Sequence, residues 1–131
     1  MERHELDPSP WMQQLHLAQG VHLRSPSELV VCSGQPSVDA DGRVVGVGDI
    51  RLQTTVALDN VRSVLEAGGF RLADLVRLNC YTTDVGGLLA NFDVISGALE
   101  EAGCHPSNTL LGVTRLARID MLIELEATAV R

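Results

Sequence analysis

Two glutamates near the C-terminus, Glu124 and Glu126, stand in a strictly alternating segment. On a strand, successive residues of one face lie about 7 Å apart, so both carboxylates would project side by side. On a solvated face they would form an ordinary polar edge. Flanked by Leu122 and Val130 and covered by a partner subunit, at least one would be partly desolvated. Its pKa would then rise toward the range useful for proton transfer. Ser33, followed by Gly34-Gln35, closes an apolar run. Its hydroxyl could face a cleft or simply finish the strand.

Other chemistries are poorly served. His4, His16, His22 and His105 have no i, i+4 pairing and no cysteine at zinc spacing. Asp39-Ala40-Asp41-Gly42 looks like a calcium loop, but its glycine comes too early and the closing glutamate is missing, so it reads as a hairpin turn. Gly46-Val47-Gly48 begins a dinucleotide fingerprint, yet Arg51 occupies the third glycine's place. No G-x-S-x-G elbow exists. All ten basic residues are arginine, which excludes a Schiff-base lysine and a Walker-type phosphate loop. Neither metal nor cofactor is expected.

The 131 residues are 45% hydrophobic and 21% charged, as in one globular domain spanning 1–131. A net charge of −7 and a pI near 4.9 argue against nucleic acid or an anionic membrane as partner. Cys32, Cys80 and Cys104 form no C-x-x-C pair, and Cys32 and Cys80 sit in apolar runs. They read as reduced, buried thiols in a cytoplasmic protein. The N-terminus lacks the basic start and apolar stretch of a signal peptide, and no segment suits a membrane span.

The elements that must position these groups follow from periodicity. Residues 1–12 read as an irregular arm, with Trp11 anchoring it to the body. Gly20-Val21-His22-Leu23 and Leu29-Val30-Val31-Cys32 read as two strands joined by a loop of hairpin length. Asp49 caps a helix to Ala67, with Ala57, Leu58, Val61, Val64 and Leu65 on one face and Gly68-Gly69 ending it. Leu75 to Thr82 is a strand, with Val76, Leu78 and Cys80 alternating against Arg77 and Asn79. A helix from about Gly87 to Ala102 carries the stripe Leu88, Phe92, Ile95, Leu99 and Ala102, and Gly103 stops it. Thr109–Thr114 and Met121–Val130 complete a ββ-α-β-α-ββ order, an α+β sandwich with two helices on one face of a mixed sheet. The other, half-apolar face calls for a partner, so a homo-oligomer is expected.

Several motifs then converge. Ser33-Gly34-Gln35, the Asp39 and Gly42 turn, Gln53-Thr54, Leu58-Asp59-Asn60-Val61, Leu65-Glu66-Ala67-Gly68, Thr83-Asp84 and Glu124-Leu125-Glu126-Ala127-Thr128-Ala129 occur in the order seen in the Rid family (reactive intermediate deaminase, also called YjgF). The chain resembles that family from about Gln19 to Arg131. The resemblance implies a fold like trimeric chorismate mutase and a homotrimer binding a small molecule in clefts between subunits. It also implies hydrolysis of enamines and imines, such as 2-aminoacrylate, to a keto acid and ammonia. In that mechanism an arginine grips the substrate carboxylate, a glutamate on the last strand positions water, and a serine and a tyrosine line the cleft.

Carried over residue by residue, the serine is Ser33, beside Gly34, and the glutamate is Glu124. The rest departs: Asn108 stands where the arginine belongs, Leu17 where the tyrosine belongs, and Leu110 where a cysteine is often found. Truncating one side of a buried charge pair costs about 2–5 kcal/mol. Asn108 hydrogen-bonds but carries no charge to hold a carboxylate, so an uncharged or cationic ligand fits better than a keto or imino acid. Arg115 and Arg118 are the nearby cations that could substitute, although the short Leu116-Ala117 link disfavours both. The expected function is a divergent deaminase not tuned to 2-aminoacrylate, with a non-catalytic small-molecule-binding trimer as the alternative. Ribonuclease activity, ascribed to some relatives, sits badly with the acidic balance.

Overall fold

The alternating C-terminal segment becomes the strand around which the computed structural model, describing residues 1–131, is organised. Strand β7 (Ile123–Val130) is paired on both edges. On one side it runs antiparallel to β3 (Leu29–Val31) and to β4 (Gln35–Pro36). On the other it runs antiparallel to β5 (Leu75–Thr82), beyond which β6 (Leu110–Gly112) lies parallel to β5. The sheet is therefore mixed, and its helices lie on one face.

Helix α1 (Ile50–Ala67) begins where Asp49 accepts a hydrogen bond from the Leu52 amide at 3.0 Å. Ala57, Leu58, Val61 and Leu65 are buried against Leu125, Ala127 and Ala129 in a single core cluster, while Val64 is half-buried. The helix ends at Gly68, and Gly69 turns the chain at φ +77°. Gln53, fully buried on the same face, donates to the Gly46 and Asp120 carbonyls and accepts from the Leu122 amide at 2.8 Å. This explains why β7 starts at Ile123 rather than Met121: the Leu122 amide is committed to Gln53, and its carbonyl accepts from Thr82.

Several expectations need correction. Residues 1–12 are not irregular: β1 (Glu2–Leu6) pairs with β2 (Gly20–Arg24), and a 3-10 helix spans Pro10–Leu15. The strand is exposed and held by its ladder and by Arg3 to the Ala73 carbonyl, so no apolar alternation announces it. Trp11 stays 60% exposed, with only the rest of its surface against the body. Strands β2 and β3 do not form a hairpin; they belong to different sheets, and the chain turns between them at Ser25, φ 51°.

The second helix is two, α2 (Val85–Ala90) and α3 (Asp93–Ala102). The Asn91 side chain bonds to the Gly87 carbonyl at the break, yet Leu88, Phe92, Ile95 and Leu99 all stay buried. A bulge between Leu75 and Arg77 sends Leu75 into the core and leaves Val76 half-buried. The Asp39 turn forms as expected, with Gly42 at φ +76° and Asp39 accepting from the Asp41 and Arg43 amides. All three cysteines are buried and free, and burial pushes the Cys80 and Cys104 thiols up to about 11. No helix is long and apolar enough to cross a membrane.

Replacing Gln53 by Ala leaves three backbone groups without their partner, and urea denaturation should show a loss of about 3 kcal/mol, against about 1 kcal/mol for Asp49→Ala. Equal losses for the two variants would remove Gln53 from its place as the principal polar anchor.

Candidate active site

The outward face of β7 presents Leu122, Glu124, Glu126 and Thr128, because Ile123, Leu125, Ala127 and Ala129 are drawn into the core. Cross-strand neighbours separate the two carboxylates. Asn79 lies opposite Glu126, and Tyr81 lies opposite Glu124. Glu126 Oε1 accepts from the Tyr81 hydroxyl at 3.0 Å and from Asn79 Nδ2 at 3.2 Å. Asn79 Oδ1 in turn accepts from the Thr109 amide. The hydrogen bond to Glu126 is the main reason the Tyr81 phenol is pushed above its ordinary value, with desolvation adding to it, while the Asn79 side chain and then the Arg77 charge oppose the rise. Glu126 is thus tied into the sheet.

The Glu124 carboxylate makes no hydrogen bond within the chain and lies over Gly34. A Cβ on Gly34 would sit 2.6 Å from Glu124 Cδ and closer still to Oε1. The glycine is needed for that close approach and not for its backbone angle. Beside it Ser33 is exposed, its carbonyl accepting from Gln35 Nε2 and its hydroxyl left unbonded within the chain. Ser33, Gly34 and Glu124 therefore come together as one group.

Leu17, Asn108 and Leu110 form a second group. They line a cavity of about 340 Å³ whose remaining walls are Trp11, Met12, Leu15, Leu89 and Phe92. Asn108 Nδ2 donates to the Leu78 carbonyl and reaches Cys80 Sγ at 3.5 Å. Leu78 and Cys80 face the helices, and Leu110 pairs with Cys80, so this group lies on the helix-covered side. Glu124 lies on the uncovered side. A single chain does not gather all six residues around one ligand. Neither Arg115 nor Arg118 reaches the cavity: Arg118 donates to the Gly42 carbonyl at 2.6 Å, and Arg115 is exposed elsewhere.

Tyr81 and Asn79 escaped sequence reasoning as partners of the carboxylate pair. Applying the alternation used for β7 to the polar side of β5 would have found them. Trp11 and Met12 as cavity walls had no such signal, since they depend on where the 3-10 helix packs.

A mixed sheet with helices on one face is the α+β, chorismate mutase-like architecture of the YjgF/Rid structures. Residues 15–131 match the family described as Endoribonuclease L-PSP, and the chain belongs to this family, the Rid (YjgF) family. It is 32% identical over 114 residues to the 2-iminobutanoate/2-iminopropanoate deaminase of Salmonella typhimurium, covering 86% of this chain and 85% of that one. A Rid-family protein of unknown function from Yersinia pestis superposes with a TM-score of 0.87 at 32% identity over 100% of both chains. Escherichia coli TdcF with bound serine gives 0.71 at 29% identity, covering 87% of each.

Gly34→Ala should force Glu124 into another rotamer while changing stability by no more than about 1 kcal/mol, because a flexible side chain can yield. A crystal structure of the variant with Glu124 unmoved would contradict the close approach.

Proposed function

We propose that the protein is a cytoplasmic homotrimeric hydrolase that deaminates a small imine or enamine in clefts between subunits, with a site not tuned to 2-aminoacrylate. The observation that carries this reading is the free Glu124 carboxylate held over Gly34 beside the unbonded Ser33 hydroxyl. A carboxylate with no partner of its own is available to accept a proton from water as that water attacks an imine carbon. Glu124 passes that proton to the imine nitrogen to give a neutral carbinolamine; moving the hydroxyl proton to the nitrogen by the same carboxylate then cleaves the C–N bond, leaving a carbonyl compound and ammonia. Ser33 orients the water or the nitrogen, and Asn108 supplies a polar contact from the cavity side.

Assembly is supported by the apolar side chains left on the face that carries Glu124. Leu29 is 61% and Val31 73% exposed there, flanking the carboxylates on β3. Such a face is stabilised by covering it with a second copy. Because Glu124 and Asn108 lie on opposite sides of one sheet, a cleft using both draws them from different subunits. The Salmonella relative's name specifies imines that carry a carboxylate, and Asn108 offers no charge for one. That same residue favours the second reading, a trimer that binds a small molecule without turning it over.

The deciding assay measures keto-acid release from freshly generated 2-aminoacrylate by the wild type, by Asn108→Arg, and by Asn108→Arg combined with Glu124→Ala. The wild type should be slow and Asn108→Arg faster by about tenfold or more. Adding Glu124→Ala to Asn108→Arg should slow the reaction again by about 100-fold. Rapid turnover by the wild type that is indifferent to Glu124→Ala would overturn the proposal. Absence of turnover in every variant would favour the binding-only reading.

A further inference from the structure

The cavity beneath Asn108 carries more information than the loss of an arginine. Apart from Asn108 its walls are apolar, with Trp11, Leu17 and Phe92 among them, and no acidic or basic side chain of the same chain borders it. Its volume of about 340 Å³ falls at the lower end of the range of ligand sites, roughly 300–1,000 Å³. Trp11 and Met12, which form part of the wall, lie before residue 15, where the family match begins.

The orientation of Asn108 is fixed by chemistry. The group facing the Leu78 carbonyl must be a donor, so it is the amide nitrogen, which also reaches Cys80 Sγ. Oδ1 accepts no hydrogen bond within the chain, and no buried side-chain oxygen or nitrogen lacks a partner, so Oδ1 is accessible. The polar feature that Asn108 offers a ligand here is consequently an acceptor. An acceptor in an apolar cavity favours an N–H or O–H donor. It is indifferent to a ketone and opposes a carboxylate, whose charge would lose its water with no compensating donor.

We infer that Asn108 is a specificity-determining residue and that this cavity takes an uncharged, largely apolar molecule presenting one N–H or O–H donor to Asn108 Oδ1. The inference rests on the cleft assigned above, and it names the substrate class of that site. An unsubstituted imine nitrogen or a primary enamine on an alkyl or aryl body satisfies it. A 2-imino acid does not.

Trp11 is the only tryptophan, is largely exposed, and borders the cavity, so its emission reports occupancy without any turnover. Three probes of matched shape separate the terms: phenylacetamide (neutral, donor), phenylacetone (neutral, acceptor only) and phenylacetate (anionic, acceptor only). Titrated into the wild-type protein, phenylacetamide should shift Trp11 emission to shorter wavelength and bind at least about tenfold more tightly than either of the others. In Asn108→Leu its advantage over phenylacetone should vanish. Phenylacetate or phenylacetone binding as tightly as the amide to the wild type, or no response to any probe, overturns the inference. The wild-type ranking decides the matter even where Asn108→Leu fails to fold. A protein that ranks the probes as expected yet turns nothing over loses the deaminase reading and keeps this one.

Discussion

The Gln53 side chain, wholly buried on α1, bonds the Asp120 carbonyl and the Leu122 amide on either side of Met121. It thereby sets where β7 begins, and the rest of the structure depends on the parity that follows. With Ile123 as the first paired residue, Ile123, Leu125, Ala127 and Ala129 enter the core, and Glu124 and Glu126 face out. A slip of one residue would bury both carboxylates and expose the aliphatic set, which costs far more than any ladder hydrogen bond returns. Pairing on both edges of β7 then locks that choice.

Parity alone makes the two glutamates equivalent; their neighbours do not. Tyr81 and Asn79 both reach Glu126, so that carboxylate is a fixed part of the sheet. Glu124 has a glycine beneath it instead of a donor beside it. The arrangement leaves one carboxylate to hold the face together and one free for a ligand or water. Across the sheet, Asn108 spends its amide nitrogen on the Leu78 carbonyl and leaves its oxygen without a partner beside an apolar cavity. Each half-site is therefore defined by which of its polar atoms the fold has already satisfied.

Where the chain announces its structure, it does so through burial on a single face. Helix α1 was legible from Asp49, its apolar face and Gly68-Gly69, and β5 and β7 from alternation. Strand β1 was not, because Glu2-Arg3-His4-Glu5-Leu6 buries neither face and is held by backbone pairing. The separation of β2 from β3 was hidden because a loop of hairpin length does not specify its strands' partners. The break at Asn91 was masked by a stripe that stays buried on both sides of it. Glu124 could be named from sequence, but not told apart from Glu126, since that distinction belongs to the opposing strand. The position of Asn108 on the helix side was likewise beyond reach, for it depends on the parallel register of β6 against β5.

The central claim is that Glu124 of one subunit and Asn108 of another border the same cleft. Cross-linking tests it without any substrate. In a Glu124→Cys, Asn108→Cys double variant treated with a short bismaleimide, the native cysteines stay silent, being buried with Cys80 and Cys104 thiols pushed up to about 11. The account predicts covalent dimers and trimers on a denaturing gel, absent from either single variant. A link formed only within single chains, or none at all in a folded protein, would contradict it.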